Sequence, residues 1–574
     1  MILKKFSVNN YKIFKDEFSI DLYKGSEEIL DNYYFTILTG KNNMGKSTFL
    51  EAISELFKKD SKNLTIKESC YNNKNKDIIL KSIFILDETK DADLIDYLKI
   101  KNLINGNYNS FELHVMKSYQ FEKAANFKFK IKDINQNAID VTSKDDINRI
   151  KEYIYNHEPY YIRPNMTVEE IDNLVNIIYT DAIITKSQED AEKLQVINDD
   201  IRGFINAFKQ ATDKVLNEVE NDISEVLNRL FTGQNFSIKI TGSQSSFLSI
   251  TDILKTMKTD LRVNNTNRSD MLLSEQGTGV QRISLIYTIQ KIIEKGIGNL
   301  GGRMLLVDEP EAFLHPEAIR ALSDSLYSIG DSMPIIITTH SPILINLEKD
   351  HTIIDIFRID KDNQEAIALY NSENSKFDAN DKENRKILNY IDPYINEFFF
   401  SDHNIIVEGT TEKMILKFLQ KEHNLNFHII EARGKATIVT LMKILNQFNS
   451  KYYVLHDLDN HVSGISQKRA QRTNCLNIFH QKQDICNIYA LENTFEHVFY
   501  NHTVSSSQKV AKIYSILSSK DPSDSNYVIK NDIINTFSAI FELDIKCEGS
   551  PNDKCYPINS IDDILSKFDI PKEV

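Results

Sequence analysis

Cysteine is scarce: five residues, Cys70, Cys475, Cys486, Cys547 and Cys555, with no pair at Cys-x-x-Cys spacing. An odd number without that spacing supports neither a disulfide framework nor a structural zinc site, so the five read as reduced thiols. Long apolar runs are missing as well. The longest, such as 304–307 and 334–337, fall far short of a bilayer span, and residues 1–7 contain no apolar stretch of signal-peptide length. A cytoplasmic protein with no membrane partner is expected. Basic residues are outnumbered, 68 Lys plus Arg against 82 Asp plus Glu, for a formal charge of -14. A chain coated in basic surface is excluded, so any nucleic-acid contact has to be local or helped by divalent metal. No period of repeat-protein length is present, which sets aside solenoids and propellers.

The chain does have length: 574 residues, 41% hydrophobic and 26% charged, an ordinary globular composition. At roughly 150 residues per domain this suggests about three or four structural units. A β-rich start (2–8, 17–22) precedes the apolar run Phe35-Thr36-Ile37-Leu38, a Gly-containing loop and the helix pattern Phe49, Leu50, Ile53, Leu56, Phe57. Strands are expected at 78–86 and 127–131. Between 188 and 231, apolar residues recur at three- and four-residue steps, which predicts long amphipathic helices serving either as a helical layer or as a dimerisation arm. The polar run 361–386 precedes a second α/β segment, and the domain boundary is expected between Lys376 and Asp402.

Gly40-Lys41-Asn42-Asn43-Met44-Gly45-Lys46-Ser47-Thr48 fits G-x-x-x-x-G-K-[ST] between a strand and a helix. Glycines let the backbone N–H groups and helix start cradle phosphates, Lys46 adds a charge at the β/γ-phosphates, and the Ser47 hydroxyl can ligate Mg²⁺. Far along the chain, Met304-Leu305-Leu306-Val307-Asp308-Glu309-Pro310 is a buried-strand run ending in two acids. Asp308 suits the Mg²⁺ shell and Glu309 the polarisation of an attacking water. His340 ends a third apolar strand, within reach of a γ-phosphate. Ser274-Glu275-Gln276-Gly277-Thr278-Gly279-Val280-Gln281 offers a hydroxyl and glycines before an apolar helix. With this set, the first half resembles ABC-type ATPases of the SMC and RecF kind. The resemblance implies that ATP, bound by Gly40, Asn43, Gly45, Lys46, Ser47, Thr48 and Asp308, is sandwiched in a homodimer. Each copy would lend the loop of Ser274, Gly277 and Gly279 to the other's site. Gln120 is the candidate for the coupling glutamine.

The second half carries Glu408-Gly409-Thr410-Thr411-Glu412 at a strand end and helix start, and further on Asp457-Leu458-Asp459 at another strand end. Residues two apart on a strand share a face, and converging carboxylates repel unless a hard cation neutralises them, which favours Mg²⁺ or Mn²⁺. The combination resembles the Toprim domain. An ABC-type ATPase followed by Toprim resembles the OLD (overcoming lysogenization defect) family of nucleases, to which the Gabija antiphage nuclease is related. This implies an α/β fold, with the ATPase in 1–185 and 235–375, a helical insertion at 186–234, and Toprim with a C-terminal extension in 400–574. It also implies two-metal phosphodiester cleavage, with Glu408, Glu412, Asp457, Asp459 and Glu492 as ligands. A lysine near the scissile phosphate is implied too; Lys435, Lys567 and Lys572 are candidates. Lys468, Arg469 and Arg472 are the local basic cluster for backbone contacts.

The first reading is an ATP-regulated DNA endonuclease of antiphage defence, assembled as a homodimer through its ATPase domains. Pairing into tetramers and an accessory defence protein are left open. The alternatives are an ATPase sensor whose Toprim half cuts RNA such as tRNA, and an ATP-gated DNA clamp without cleavage. The intact carboxylate set argues against the clamp, and the stretch after Tyr500 is too short for the strand-gate domain of a topoisomerase.

Overall fold

The structure, a computed structural model, describes residues 1–23, 34–40, 43–59, 66–88, 90–104, 110–132, 138–194, 201–231, 235–242, 259–264, 268–295, 302–345, 354–360, 365–370, 397–398, 400–401, 403–446, 451–484, 486–500, 504–546 and 549–570. The chain divides into two compact units, Met1–Leu344 with His351–Ile367, and Ala368–Val574 with Ile345–Asp350. Most of the span expected to hold the boundary, 376–402, lies outside the described residues, as do Lys41, Asn42, Cys547 and Lys572.

In the first unit, alternating strands build an antiparallel sheet in the order Phe18–Asp21, Ile2–Asn9, Ile78–Asp87, Ser110–Tyr119, Asn126–Lys132, Ala138–Val141. Continuously apolar strands instead form the parallel core, where both faces are covered. Phe35–Thr39 lies between Ile354–Asp360 and Ile335–Thr338, and beyond the latter come Leu305–Asp308 and Tyr160–Ile162. Their registers align Leu38 with Thr338 and Thr338 with Asp308. The P-loop and the acid-ending strand therefore finish at one sheet edge. The edge strand Tyr160–Ile162 has no long apolar run of its own and is fixed by pairing with 305–307.

Helix Lys46–Phe57 buries Phe49, Leu50, Ile53, Leu56 and Phe57, the predicted stripe. Its carboxyl end is held from the antiparallel sheet. The fully buried Lys117 donates to the carbonyls of Glu55 (3.0 Å) and Lys58 (2.9 Å), groups a helix end leaves unpaired. Lys117→Met should lower the unfolding free energy by about 1–3 kcal/mol, because charge-assisted bonds are lost and two carbonyls left buried. Denaturant titration measures this, and an unchanged midpoint would remove the cap from the account.

The long helices span Val168–Leu194 and Ile201–Leu230, so the first starts well before the predicted 188 and runs through residue 186. A capping box explains the early start: Glu170 accepts from the Thr167 amide (2.9 Å), and Thr167 accepts from the Glu170 amide (3.3 Å). In the second helix Leu216, Val219, Ile223 and Leu227 are buried. Ser224 and Glu220 there accept amide bonds from Ile238 (2.8 Å) and Ile240 (2.6 Å) of strand Ser237–Gly242. This portion of the stripe is a helical layer of its own unit.

The second unit has a sheet in the order His428–Glu431, Asn404–Val407, Tyr452–Asp457, Cys486–Leu491, Cys555–Pro557, parallel except for the last strand. The order reverses beside Asn404–Val407, with its successor on one side and Tyr452–Asp457 on the other. Open α/β sheets bind ligands at such a switch point, beyond the carboxyl ends of the strands. Helices Ser506–Ser518 and Ser525–Ile540 complete the core: Ile513, Ile516, Ile533 and Phe537 join Ile415, Leu416 and Leu419 of helix Thr410–His423 in one cluster.

Candidate functional sites

At the first sheet edge the loop turns through left-handed backbone at Gly40 (φ 126°), Asn43 (φ 62°) and Gly45 (φ 99°). A Cβ on Gly40 would come within 2.9 Å of the Ile359 carbonyl oxygen, so that position requires glycine. Lys46 is buried and donates from Nζ to the Gly40 carbonyl (2.8 Å). Burial pulls its pKa down to about 8 against the opposing pull of Glu309, Asp308 and Glu311. Ser47 Oγ donates to Asp308 Oδ1 (2.8 Å), which also accepts from Thr338 Oγ1 (2.5 Å). The two residues expected in a Mg²⁺ shell are thus in contact. Thr48, half-buried, follows on the first turn.

Glu309 adopts φ 45°, and its amide donates to the Thr338 carbonyl (3.1 Å) and hydroxyl (3.0 Å). Left-handed backbone at a non-glycine residue is the kind of strain that clusters at functional sites. His340 Nε2 lies 3.8 Å from Glu309 Oε1, and burial, with Lys46 nearby, lowers the His340 pKa to about 4. The imidazole is neutral at pH 7.

Two residues outside the predicted site set complete this edge. Glu311 gathers the Thr339 hydroxyl (2.8 Å) and the His340 (2.6 Å) and Ser341 (3.0 Å) amides on one oxygen. Arg282, 2% exposed, donates to the carbonyls of Ala312 (2.9 Å), Asp308 (2.6 Å) and Glu309. It ties helix Thr278–Glu294 to the acid-bearing loop. Ser274 is buried in the turn Leu273–Glu275, while exposed Gly277 caps the helix and half-buried Thr278 begins it. Gln281 pins the turn through the carbonyls of Ser274 (2.9 Å) and Gln276 (2.7 Å). Gly279 is packed against Phe313 and Leu314. Gln120 sits exposed in a turn with Lys123 on its side-chain oxygen (2.9 Å).

At the switch point of the second unit, Glu408 Oε2 accepts from the Asp457 amide (3.0 Å). Asp457 has its Oδ1 buried without a hydrogen-bond partner. Burial first, then the charges of Glu412, Glu408 and Asp459, hold its carboxyl far above the usual range. Glu412, 6% exposed, is raised to about 7 by burial and then by Glu408 and Glu496. Asp459 (φ 53°) is anchored by its amide on the Asn493 carbonyl (2.9 Å). Four predicted carboxylates therefore lie within reach of one another's charge, with Lys435 among them. Its Nζ donates to Asp459 Oδ2 and stands 3.7 Å from Glu408 Oε1. The oxygen-only donor set and the orphaned buried oxygen fit a hard divalent cation.

The structure does not join Glu492 to this group: its amide bonds the Lys554 carbonyl (2.9 Å) and its charge faces Tyr556. Glu496, one turn later and buried, is the acid whose charge reaches Glu412, and it is paired with Lys509 (2.8 Å). Helix Phe495–Phe499 is too short for a periodicity signal to have marked it. Lys567 Nζ lies over the Tyr556 ring (4.1 Å). Lys468, Arg469 and Arg472 lie on helix Ile465–Phe479, which also brings Gln471 Oε1 to within 3.2 Å of Lys435.

Fold and sites define a P-loop ATPase unit followed by a Toprim unit. Residues 1–345 match the family model of the AAA ATPase domain, and residues 399–459 match that of the overcoming-lysogenization-defect-like Toprim domain. The chain belongs to that AAA ATPase family, and its second unit carries a segment similar to the Toprim domain of overcoming-lysogenization-defect-like proteins. It is 25% identical to the Old nuclease of Escherichia phage P2, over 48% of each chain. It is 23% identical to the endonuclease GajA of Bacillus cereus (strain HuB5-5), over 73% of this chain and 70% of that one. The OLD nuclease of Thermus scotoductus is 23% identical over 45% of this chain and 49% of that one. The matches thus span about half the length of the phage and Thermus relatives. Among solved structures, an SMC head domain from Thermotoga maritima is 14% identical with a TM-score of 0.29, covering 62% of this chain and 95% of that one. Domains of these two classes use ATP and a divalent metal. Among the described residues no helix is long and apolar enough to cross a membrane.

Proposed function

We propose that this chain is an ATP-regulated, divalent-metal-dependent endonuclease of DNA acting in antiphage defence. The observation that carries it is the meeting of Glu408, Glu412, Asp457 and Asp459 at a switch point, with a buried Asp457 oxygen left unsatisfied. Bound there, Mg²⁺ or Mn²⁺ would supply a lowered pKa for water and charge neutralisation at the phosphate. Glu408 holds the backbone beside Asp457 through the Asp457 amide, and the charges of Glu496 and of its partner Lys509 both reach Glu412. The ATPase occupies 1–185 and 235–375 with the helical element 186–234, and Toprim occupies 400–574. Incubating the protein with supercoiled plasmid and, separately, total tRNA, with and without ATP and each metal, tests this. Plasmid cleavage that needs metal and responds to ATP is expected; cleavage of tRNA alone would replace DNA by RNA as substrate.

ATP is held by the Lys46 loop, with Ser47 and Asp308 on its metal, and two copies close around it, each lending its 274–281 loop. Glu309 polarises the attacking water, with His340 beside it. Glu309→Gln should slow hydrolysis and trap the ATP-bound dimer, doubling the mass seen by light scattering when ATP is added. A mass indifferent to ATP would sink the sandwich.

A further inference from the structure

We propose that Lys435 is the resident cation of the acidic pocket: it neutralises Glu408 and Asp459 until a divalent ion displaces it, and so sets the metal concentration at which the site loads. A lysine ammonium usually stays in water, because burying it costs several kcal/mol unless carboxylates surround it. Lys435 has a side chain only 5% exposed. Gly434, at φ 138°, turns the chain so that helix Lys435–Asn446 begins with this residue. Its Nζ bonds Asp459 Oδ2 and Gln471 Oε1 (3.2 Å) and stands 3.7 Å from Glu408 Oε1. Three elements therefore aim oxygens at one nitrogen.

Among the described residues no three His, Cys, Asp or Glu side chains are arranged as a ready ligand set. The ammonium stands where two of the four carboxylates would have to close on an ion. Ammonium and divalent ion compete for the same Glu408 and Asp459 oxygens, and two like charges do not share so small a space. Loading therefore requires Nζ to swing out on its flexible stem. The cost of moving it is subtracted from the metal's affinity.

This goes beyond the nuclease reading but rests on its assignment of Glu408, Glu412, Asp457 and Asp459 as ligands, and the test separates the two. Binding of Mn²⁺ to the full chain, without nucleotide or nucleic acid, is followed by loss of the free-ion electron paramagnetic resonance signal. Lys435→Met should bind Mn²⁺ roughly tenfold more tightly than wild type, and Lys435→Arg should stay within about twofold of it. Without metal, Lys435→Met should melt below wild type and recover when Mn²⁺ is added. Lys435→Gln carries the same expectation should the methionine variant fail to fold. Equal or weaker Mn²⁺ binding in the neutral variants overturns the proposal while leaving the metal site standing. Binding that persists unchanged in Asp457→Asn would overturn the ligand assignment and this proposal with it.

Discussion

Replacing Asp457 by asparagine should abolish metal-dependent cleavage, by about a thousandfold or more, since several kcal/mol of metal-derived stabilisation vanish with the ligand. The same change should make the metal-free protein more stable, by about 1–3 kcal/mol, because the cost of ionising a buried carboxyl among like charges is removed. The native carboxyl is buried, has one oxygen without a partner and is pushed far above its usual pKa by burial and three neighbouring acids. Asparagine keeps the shape and removes the repulsion. The linkage sign agrees: a carboxyl whose folded pKa is raised binds its proton more tightly in the native state, so its stabilising contribution is present at low pH and lost as pH rises. The advantage of the variant over wild type should therefore widen from pH 5 to pH 8 in chelator. Melting curves and plasmid cleavage measure the two effects. A variant that loses both activity and stability would mark Asp457 as a structural residue.

Legibility followed the locality of each signal. Gly40 to Thr48 could be read because one local motif specifies the strand end, the loop and the helix start, and the structure places all three together. Glu408 with Glu412 and Asp457 with Asp459 could be read as pairs because each lies within one strand end, and parallel pairing then brings Val407 level with Leu455. Residues that act across long separations left no such trace. Arg282 reads as one more polar residue on an apolar helix, yet it binds the carbonyls behind both acids of the 308–309 pair. Lys435 could be named as one of three candidate lysines, but its place between Asp459 and Gln471 comes only from the fold. Glu496 left no trace of this kind, because a single acid on a five-residue helix carries no periodicity. Thr167 and Glu170 are the exception: their capping box could have been read locally, and it would have placed the helix start at 168.

Lys46→Ala should lower ATP affinity by about a hundredfold or more, the worth of charge-assisted bonds from one ammonium to phosphate oxygens. That ammonium is buried and held by the Gly40 carbonyl, so a phosphate entering the loop offers it several acceptors in place of one. Its pKa is pulled down to about 8, burial outweighing the attraction of Glu309, Asp308 and Glu311. A phosphate stabilises only the charged form, so above pH 8 binding must take up a proton, and wild-type affinity should fall about tenfold per unit of further rise. Lys46→Arg, charged throughout, should show no such fall, though its broader head fits the loop poorly and binds more weakly at pH 7. Fluorescent-nucleotide titrations from pH 7 to pH 9.5 provide the measurement. A wild-type affinity that is flat across that range, or an alanine variant that binds normally, would show that Lys46 does not face the phosphates.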